Sequence, residues 1–176
     1  MSDITIRQVQ PTESALIYSF LTISARMAES GETIQQALTD TALVKYWQNW
    51  GQPNDLGIVA ESTELGYPVG CAWVRLFAGE APGYGHVADD IPELAFGVVK
   101  NRRNDGIGTL LLEQLLEQCR ERYPGVSLSV RQDNPAVRLY ERFGFQVEGD
   151  GFINRVGTAS STMLLRFNGE APSAAR

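Results

Sequence analysis

The stretch that most limits what this chain can fold into is Val98 to Arg122, VVKNRRNDGIGTLLLEQLLEQCRER. A β-like run meets a basic, glycine-punctuated loop that opens directly into a long amphipathic pattern. Leu111, Leu112, Leu115, Leu116 and Cys119 lie on one side of that pattern, with Glu113, Gln114, Glu117, Gln118 and Glu121 on the other. This division predicts a surface helix from about Gly106 to Arg122. Its beginning asks for more explanation than its body. Gly106 and Gly108 expose backbone N–H groups where a helix has unpaired donors and the positive end of its dipole. Lys100, Arg102 and Arg103 add positive charge just before them. Together these predict an anion site suited to a phosphate or pyrophosphate. A glycine turn with arginines facing solvent is the plainer alternative. The run GIGTLL lacks the third glycine of G-x-G-x-x-G, and no G-K-[ST] ending makes a P-loop.

The rest of the chain frames this unit with alternating elements. Ile4–Val9 alternates apolar and polar residues as a half-buried strand does. A helical pattern follows from Thr12 to Ala28, interrupted at Gly31, and a second runs from about Thr33 to Trp50. LGIVAES and PVGCAWVRLF read as a hairpin turning at TELGY. A long Gly/Pro/Asp connection, AGEAPGYGHVADDIP, leads to a strand from Glu93 to Val99; connections of that length often carry function. After the helix come a strand at VSLSV, a short helix from Pro135 to Phe143, and closing strands at FQVEGD and STMLLRF. The order is a mixed α/β sandwich around one sheet. No repeat or linker divides it, so residues 1–168 read as one domain, with 169–176 a frayed, small and polar tail.

Bulk properties narrow the function. At 176 residues and 43 % hydrophobic content, one domain with a real core is expected. A net charge of −6 disfavours non-specific nucleic-acid binding, though a local basic patch can still hold a small anion. No run approaches the length of a membrane span, and MSDITIRQVQ lacks the basic and apolar regions of a signal peptide, so no membrane partner and a cytoplasmic location are expected. Cys71 and Cys119 have no ligand spacing around them and read as small core residues. The single histidine, His86, cannot make a metal site alone; no metal is expected.

Arg103-x-x-Gly106-x-Gly108, after a strand and opening a helix, resembles the GNAT superfamily of N-acetyltransferases. NPAVRLYERFGF, Asn134 to Phe145, resembles that family's second signature, N-x-x-A-x-x-L/F-Y-x-x-x-G-F, with the alanine one place early at Ala136. The element order matches from Ile4 to about Phe167. The resemblance implies a GNAT-type mixed, mostly antiparallel sheet of about six or seven strands flanked by about four helices. It implies acetyl-CoA as co-substrate, its pyrophosphate held by backbone amides of the loop. The residues implied in cofactor binding are Val98, Val99, Lys100, Arg103, Asn104, Asp105, Gly106, Ile107, Gly108, Thr109 and Asn134. At Val98 and Val99 the family's strand splays from its neighbour, and its amides bind the acetyl carbonyl and pantetheine arm. Asn134, followed by Pro135, also reads as a helix cap.

Acetyl transfer from a thioester to an amine needs a neutral amine, a stabilised carbonyl oxygen and a proton for the departing thiolate. No covalent enzyme intermediate is needed, in keeping with the absence of a convincing Ser-His-Asp or Cys-His set. Tyr140, the tyrosine of the second signature, is the expected general acid; the alternative is a tyrosine packed in the core. Glu93 is the candidate general base, sharing a strand face with Ala95, Gly97 and Val99. A solvated glutamate at a strand edge is its bland reading, and His86, Asp89 and Asp90 are competitors. Tyr46, Trp47 and Trp50 read as core at helical spacing, with an aromatic acceptor wall as the other reading. The acidic loop GEAPGYGHVADD would favour a cationic amine.

The expected partner is therefore an amine-bearing acceptor, either a small molecule or a peptide. Two alternatives stay open: a non-catalytic acyl-CoA sensor and an enzyme using a longer acyl group. A homodimer is also open, should the closing strand be exposed.

Overall fold

The structure, a computed structural model, describes residues 3–77 and 82–167. The expected tail and residues 79–81 of the acidic loop lie outside the described residues. Among the described residues, seven strands form one mixed sheet in the order β1-β2-β3-β4-β5-β7-β6: β1 Ile4–Gln8, β2 Leu56–Ser62, β3 Tyr67–Arg75, β4 Glu93–Val98, β5 Gly125–Arg131, β6 Gln146–Ile153 and β7 Ala159–Arg166. The helices are α1 Ser14–Ser24, α2 Ile34–Thr39, α3 Thr41–Val44, α4 Ile107–Arg120 and α5 Val137–Arg142, with 3₁₀ turns at Met27–Glu29 and Lys100–Arg102. Through these elements the described residues form two compact units, lying within 1–75 with 95–115 and within 76–94 with 116–176.

In the first unit β1, β2 and β3 run antiparallel, with Ile4 opposite Ser62 and Leu56 opposite Val74. The hairpin is nearly all buried because both faces are covered, which explains its continuous apolar run GIVA and CAWV. Gly70 on β3 lets α4 come close: a Cβ there would lie 2.9 Å from Leu111 Cδ1 and 3.0 Å from Ile107 Cγ2. The first turn of α4 is thus seated on the sheet by the absence of a side chain.

The second helical region differs from the sequence reading. It is two short helices, α2 and α3, broken at Asp40, whose extended backbone (φ −70°, ψ 109°) lets its carboxylate accept the Ala42 amide as an N-cap. The chain then leaves the helix at Lys45, and the carbonyls of Lys45, Gln48 and Asn49 are taken by the Arg75 guanidinium at 2.7–2.9 Å. Arg75 also pairs with Asp55 at 2.8 Å. A buried arginine whose donors are all taken replaces the carbonyl partners that a continued helix would have supplied. Tyr46 and Trp50 are core, as expected, but lie beyond the helix: the Tyr46 carbonyl accepts from Trp73 Nε1 at 3.2 Å, and Trp50 Nε1 donates to the Gln10 carbonyl at 3.1 Å. Trp47 meets Tyr18 edge to face, ring centroids 5.2 Å apart.

In the second unit β5 pairs with β7 along its length, Gly125 opposite Arg166, and β7 pairs with β6. β6 is exposed almost throughout and broken by a bulge between Glu148 and Phe152, a usual way to blunt an edge. The start of β4 pairs parallel to β5, Glu93 opposite Ser127, with the Ser127 amide on the Pro92 carbonyl at 3.0 Å.

Candidate active site

The basic loop is built by local rules. After β4 the chain makes a 3₁₀ turn at Lys100–Arg102, passes Asn104 at φ 69° and Gly106 at φ 81°, and enters α4 at Ile107. The positive φ at Gly106 is the region a side chain strains, so glycine is what lets strand and helix meet so sharply. The first helical bond runs from the Leu110 amide to the Gly106 carbonyl at 3.1 Å. The amides left without an intrahelical acceptor are then those of Gly106, Ile107, Gly108 and Thr109. Val98, Val99, Lys100 and Arg103–Thr109 are therefore one continuous structural unit, and its end presents the donor set and dipole a pyrophosphate requires. Lys100 is exposed beside it.

The arginines do something other than add free charge. Arg102 is held by Asp105 at 2.8 Å and Asp3 at 3.1 Å. Arg103 donates from Nε to the Val98 carbonyl at 3.2 Å and lies 3.7 Å from Glu29. Both act as struts that fix the loop's path. The Val99 amide is engaged as well, donating to the Val69 carbonyl at 2.9 Å. That bond ties the loop's start to β3.

In the second unit the two candidate catalytic side chains are both buried. Tyr140, on α5, is 7 % exposed and packs edge to face on Phe145 at 5.8 Å. Burial pushes its phenol well above the usual tyrosine range, so it is a proton-bearing group throughout the physiological range. Asn134 caps the turn before α5, its Oδ1 accepting the Ala136 amide at 3.0 Å. The cap uses only the oxygen; the Nδ2 amide is a separate donor, so capping and ligand contact use different atoms.

Glu93 is 3 % exposed at the first position of β4, which removes the solvated-edge reading. Its cover comes from the loop before it. A Cβ on Gly83 would fall 1.8 Å from Glu93 Oε2, and one on Gly85 would fall 2.5 Å from the Leu128 carbonyl carbon. Two glycines thus press this loop onto the glutamate and onto β5. Of the competitors, Asp89 and Asp90 are exposed, and His86 Nε2 lies 3.1 Å from Asp89 Oδ1. A residue that sequence reading passed over is Ser127. Its hydroxyl is fully buried opposite Glu93 and has no hydrogen-bond partner among the described residues. In VSLSV nothing but register marks it out. Among the described residues no three His, Cys, Asp or Glu groups are placed to hold a metal ion, and no helix is long and apolar enough to cross a membrane.

A seven-stranded mixed sheet with a glycine loop opening its longest helix is the architecture of solved acetyltransferases. The acetyltransferase of GNAT family from Streptococcus pneumoniae is 21 % identical (TM-score 0.61, covering 93 % of this chain and 99 % of that one). The ribosomal-protein-S18-alanine N-acetyltransferase of Escherichia coli is 18 % identical (TM-score 0.64, 98 % and 99 % covered). The yncA protein of Salmonella typhimurium, solved with its cofactor acetyl-CoA, is also 18 % identical (TM-score 0.66, 98 % and 99 % covered). No curated protein sequence matches the chain. Residues 22–145 match the acetyltransferase (GNAT) family, and the chain belongs to it. Acetyl-CoA is the acetyl donor of that family.

Proposed function

We propose that the protein is an acetyl-CoA-dependent N-acetyltransferase that moves the acetyl group directly to a primary amine of a small molecule or peptide, residues 1–168 acting as one domain. The observation that carries the reading is the loop Arg103–Gly108, whose positive-φ glycine opens α4 and leaves the four amides of Gly106–Thr109 without intrahelical acceptors. Acetyl-CoA supplies a thioester whose C–S bond breaks as the new C–N bond forms. The amides of Gly106–Thr109 and the Asn134 side-chain amide hold its phosphates and pantetheine arm, and Val98 flanks the thioester end. Glu93 accepts the proton that the ammonium acceptor must lose, directly or through a water molecule, since so buried a carboxylate leaves little room for an incoming amine. Tyr140 gives its hydroxyl proton to the departing sulfur. The acidic sequence of the loop before β4 favours a cationic acceptor over an anionic one.

The test is acetyl-CoA binding by calorimetry with a thiol-release assay across a panel of amines, wild type beside Tyr140→Phe. Amine-dependent CoA release is expected, falling roughly a hundredfold or more in Tyr140→Phe while acetyl-CoA affinity is retained. Binding without turnover on any amine would point to an acyl-CoA sensor. Loss of binding in the wild type would refute the reading of the loop.

A further inference from the structure

The loop that opens α4 carries a residue ill suited to holding an anion. Asp105 immediately precedes Gly106, and a free carboxylate beside helix-end amides opposes the negative ligand those amides attract. Arg102 meets that charge. Its Nε donates to Asp105 Oδ2 at 2.8 Å, its Nη2 to Asp3 Oδ2 at 3.1 Å and its Nη1 to Ser62 Oγ at 3.5 Å. All three guanidinium nitrogens are thus committed to the protein, and the Arg102 side chain is only 16 % exposed against 46 % for Asp105. A group so committed is not built to grip a ligand. It is anchored at the start of β1 and the end of β2, and it reaches the loop through one carboxylate.

We propose that Arg102 is a positioning residue for acetyl-CoA: it neutralises Asp105 and ties that carboxylate to the β1–β2 edge, so that the amides of Gly106–Thr109 meet the pyrophosphate unopposed. The inference rests on the acetyl-CoA reading above and adds to it a division of labour among the loop's cations. Arg102 works on the loop's own acid, Arg103 braces the loop against Val98, and Lys100 is left to face the ligand.

The experiment measures acetyl-CoA affinity by calorimetry for the wild type, Arg102→Gln, Asp105→Asn and the double variant, each at about 50 mM and 500 mM salt. One unit charge a few ångströms from a diphosphate in a watery setting changes affinity on the order of fivefold to tenfold. Arg102→Gln should therefore weaken binding by about that factor at low salt, and the loss should shrink at high salt, where exposed charges are screened. Asp105→Asn should bind acetyl-CoA more tightly than the wild type. The double variant should return to within about twofold of the wild type, because the carboxylate that needed neutralising is gone. A merely structural arginine gives a different pattern: the double variant stays as weak as Arg102→Gln, at both salt concentrations, and that result would overturn the inference. Should Arg102→Gln fail to fold, Asp105→Asn alone decides, since weaker binding in that variant contradicts the proposal. Absence of binding in the wild type would remove the acetyl-CoA reading and this inference together, whereas wild-type binding without rescue would remove the inference alone.

Discussion

Replacing Gly83 by alanine tests whether the loop before β4 controls Glu93. The added Cβ would sit 1.8 Å from Glu93 Oε2, 2.9 Å from its carboxyl carbon and 2.8 Å from Phe77 Cδ2. Ordinary contact begins at 3.4 Å, so the carboxylate has to withdraw by more than about 1 Å or the loop has to lift. Glu93 is 3 % exposed, which gives the side chain little space to swing into. Overpacking of this kind costs about 1–3 kcal/mol, and in a chain of this size each kcal/mol lowers Tm by roughly 2–4 °C. A fall of about 2–12 °C is expected. On the proposed mechanism a displacement near 1 Å of the base also lowers kcat on the order of a hundredfold. The assay is thermal unfolding of wild type, Gly83→Ala, Glu93→Ala and the double variant, with kcat for the first two. Glu93→Ala removes the atoms the new methyl strikes, so adding Gly83→Ala to it should cost less than half of what it costs alone. An equal loss in both backgrounds would show that the methyl disturbs Phe77 or the loop itself, and the argument that Gly83 sets the glutamate would fail.

Removing the unpartnered Ser127 hydroxyl with Ser127→Ala should stabilise the protein by about 1 kcal/mol, raising Tm by roughly 2–4 °C; a lower Tm in differential scanning calorimetry would mean the hydroxyl is satisfied in solution. Burial pushes the Cys119 thiol up to about 12 and the Cys71 thiol higher still, so neither should react with a thiol reagent at pH 8 in the native state, and both should react in urea. Arg7 hydrogen bonds hold the Glu13 carboxyl below its ordinary 4.5, against a smaller opposing effect of burial. A depressed folded pKa gives stability that is present above about pH 4.5 and lost as pH falls through the folded value, so Glu13→Gln should flatten the acid limb of Tm against pH; an unchanged limb would remove the pair from acid unfolding.

What could be read in advance was what lies close together along the chain. The glycine loop and the amphipathic stripe of α4 occupy consecutive positions, and the hairpin β2–β3 needs only its turn and its β-branched runs. The helical region after Thr33 was harder, because Ile34, Leu38, Ala42 and Tyr46 keep helical spacing across a real break. Nothing in that spacing shows that Asp40 caps a new helix, or that Arg75, 30 residues beyond Lys45, collects the freed carbonyls. The burial of Glu93 was equally hidden. Its cover is a glycine in a loop rich in glycines, and composition does not say which of them approaches a carboxylate.

The charges of the basic loop show the same limit in a form that bears on chemistry. Counted along the sequence, Lys100, Arg102 and Arg103 form a cluster of three positive charges in a chain of net charge −6. Folded, Arg102 is matched by Asp3 from 99 residues away and by Asp105, and Arg103 lies near Glu29. The field at the start of α4 is then set largely by oriented amides and one exposed lysine. Amides keep their orientation at any salt concentration, whereas free arginine pairs would be screened. On the acetyl-CoA reading, wild-type affinity should therefore decline only modestly as salt rises, and the basic look of NRRND is the appearance of a braced loop more than of an electrostatic funnel.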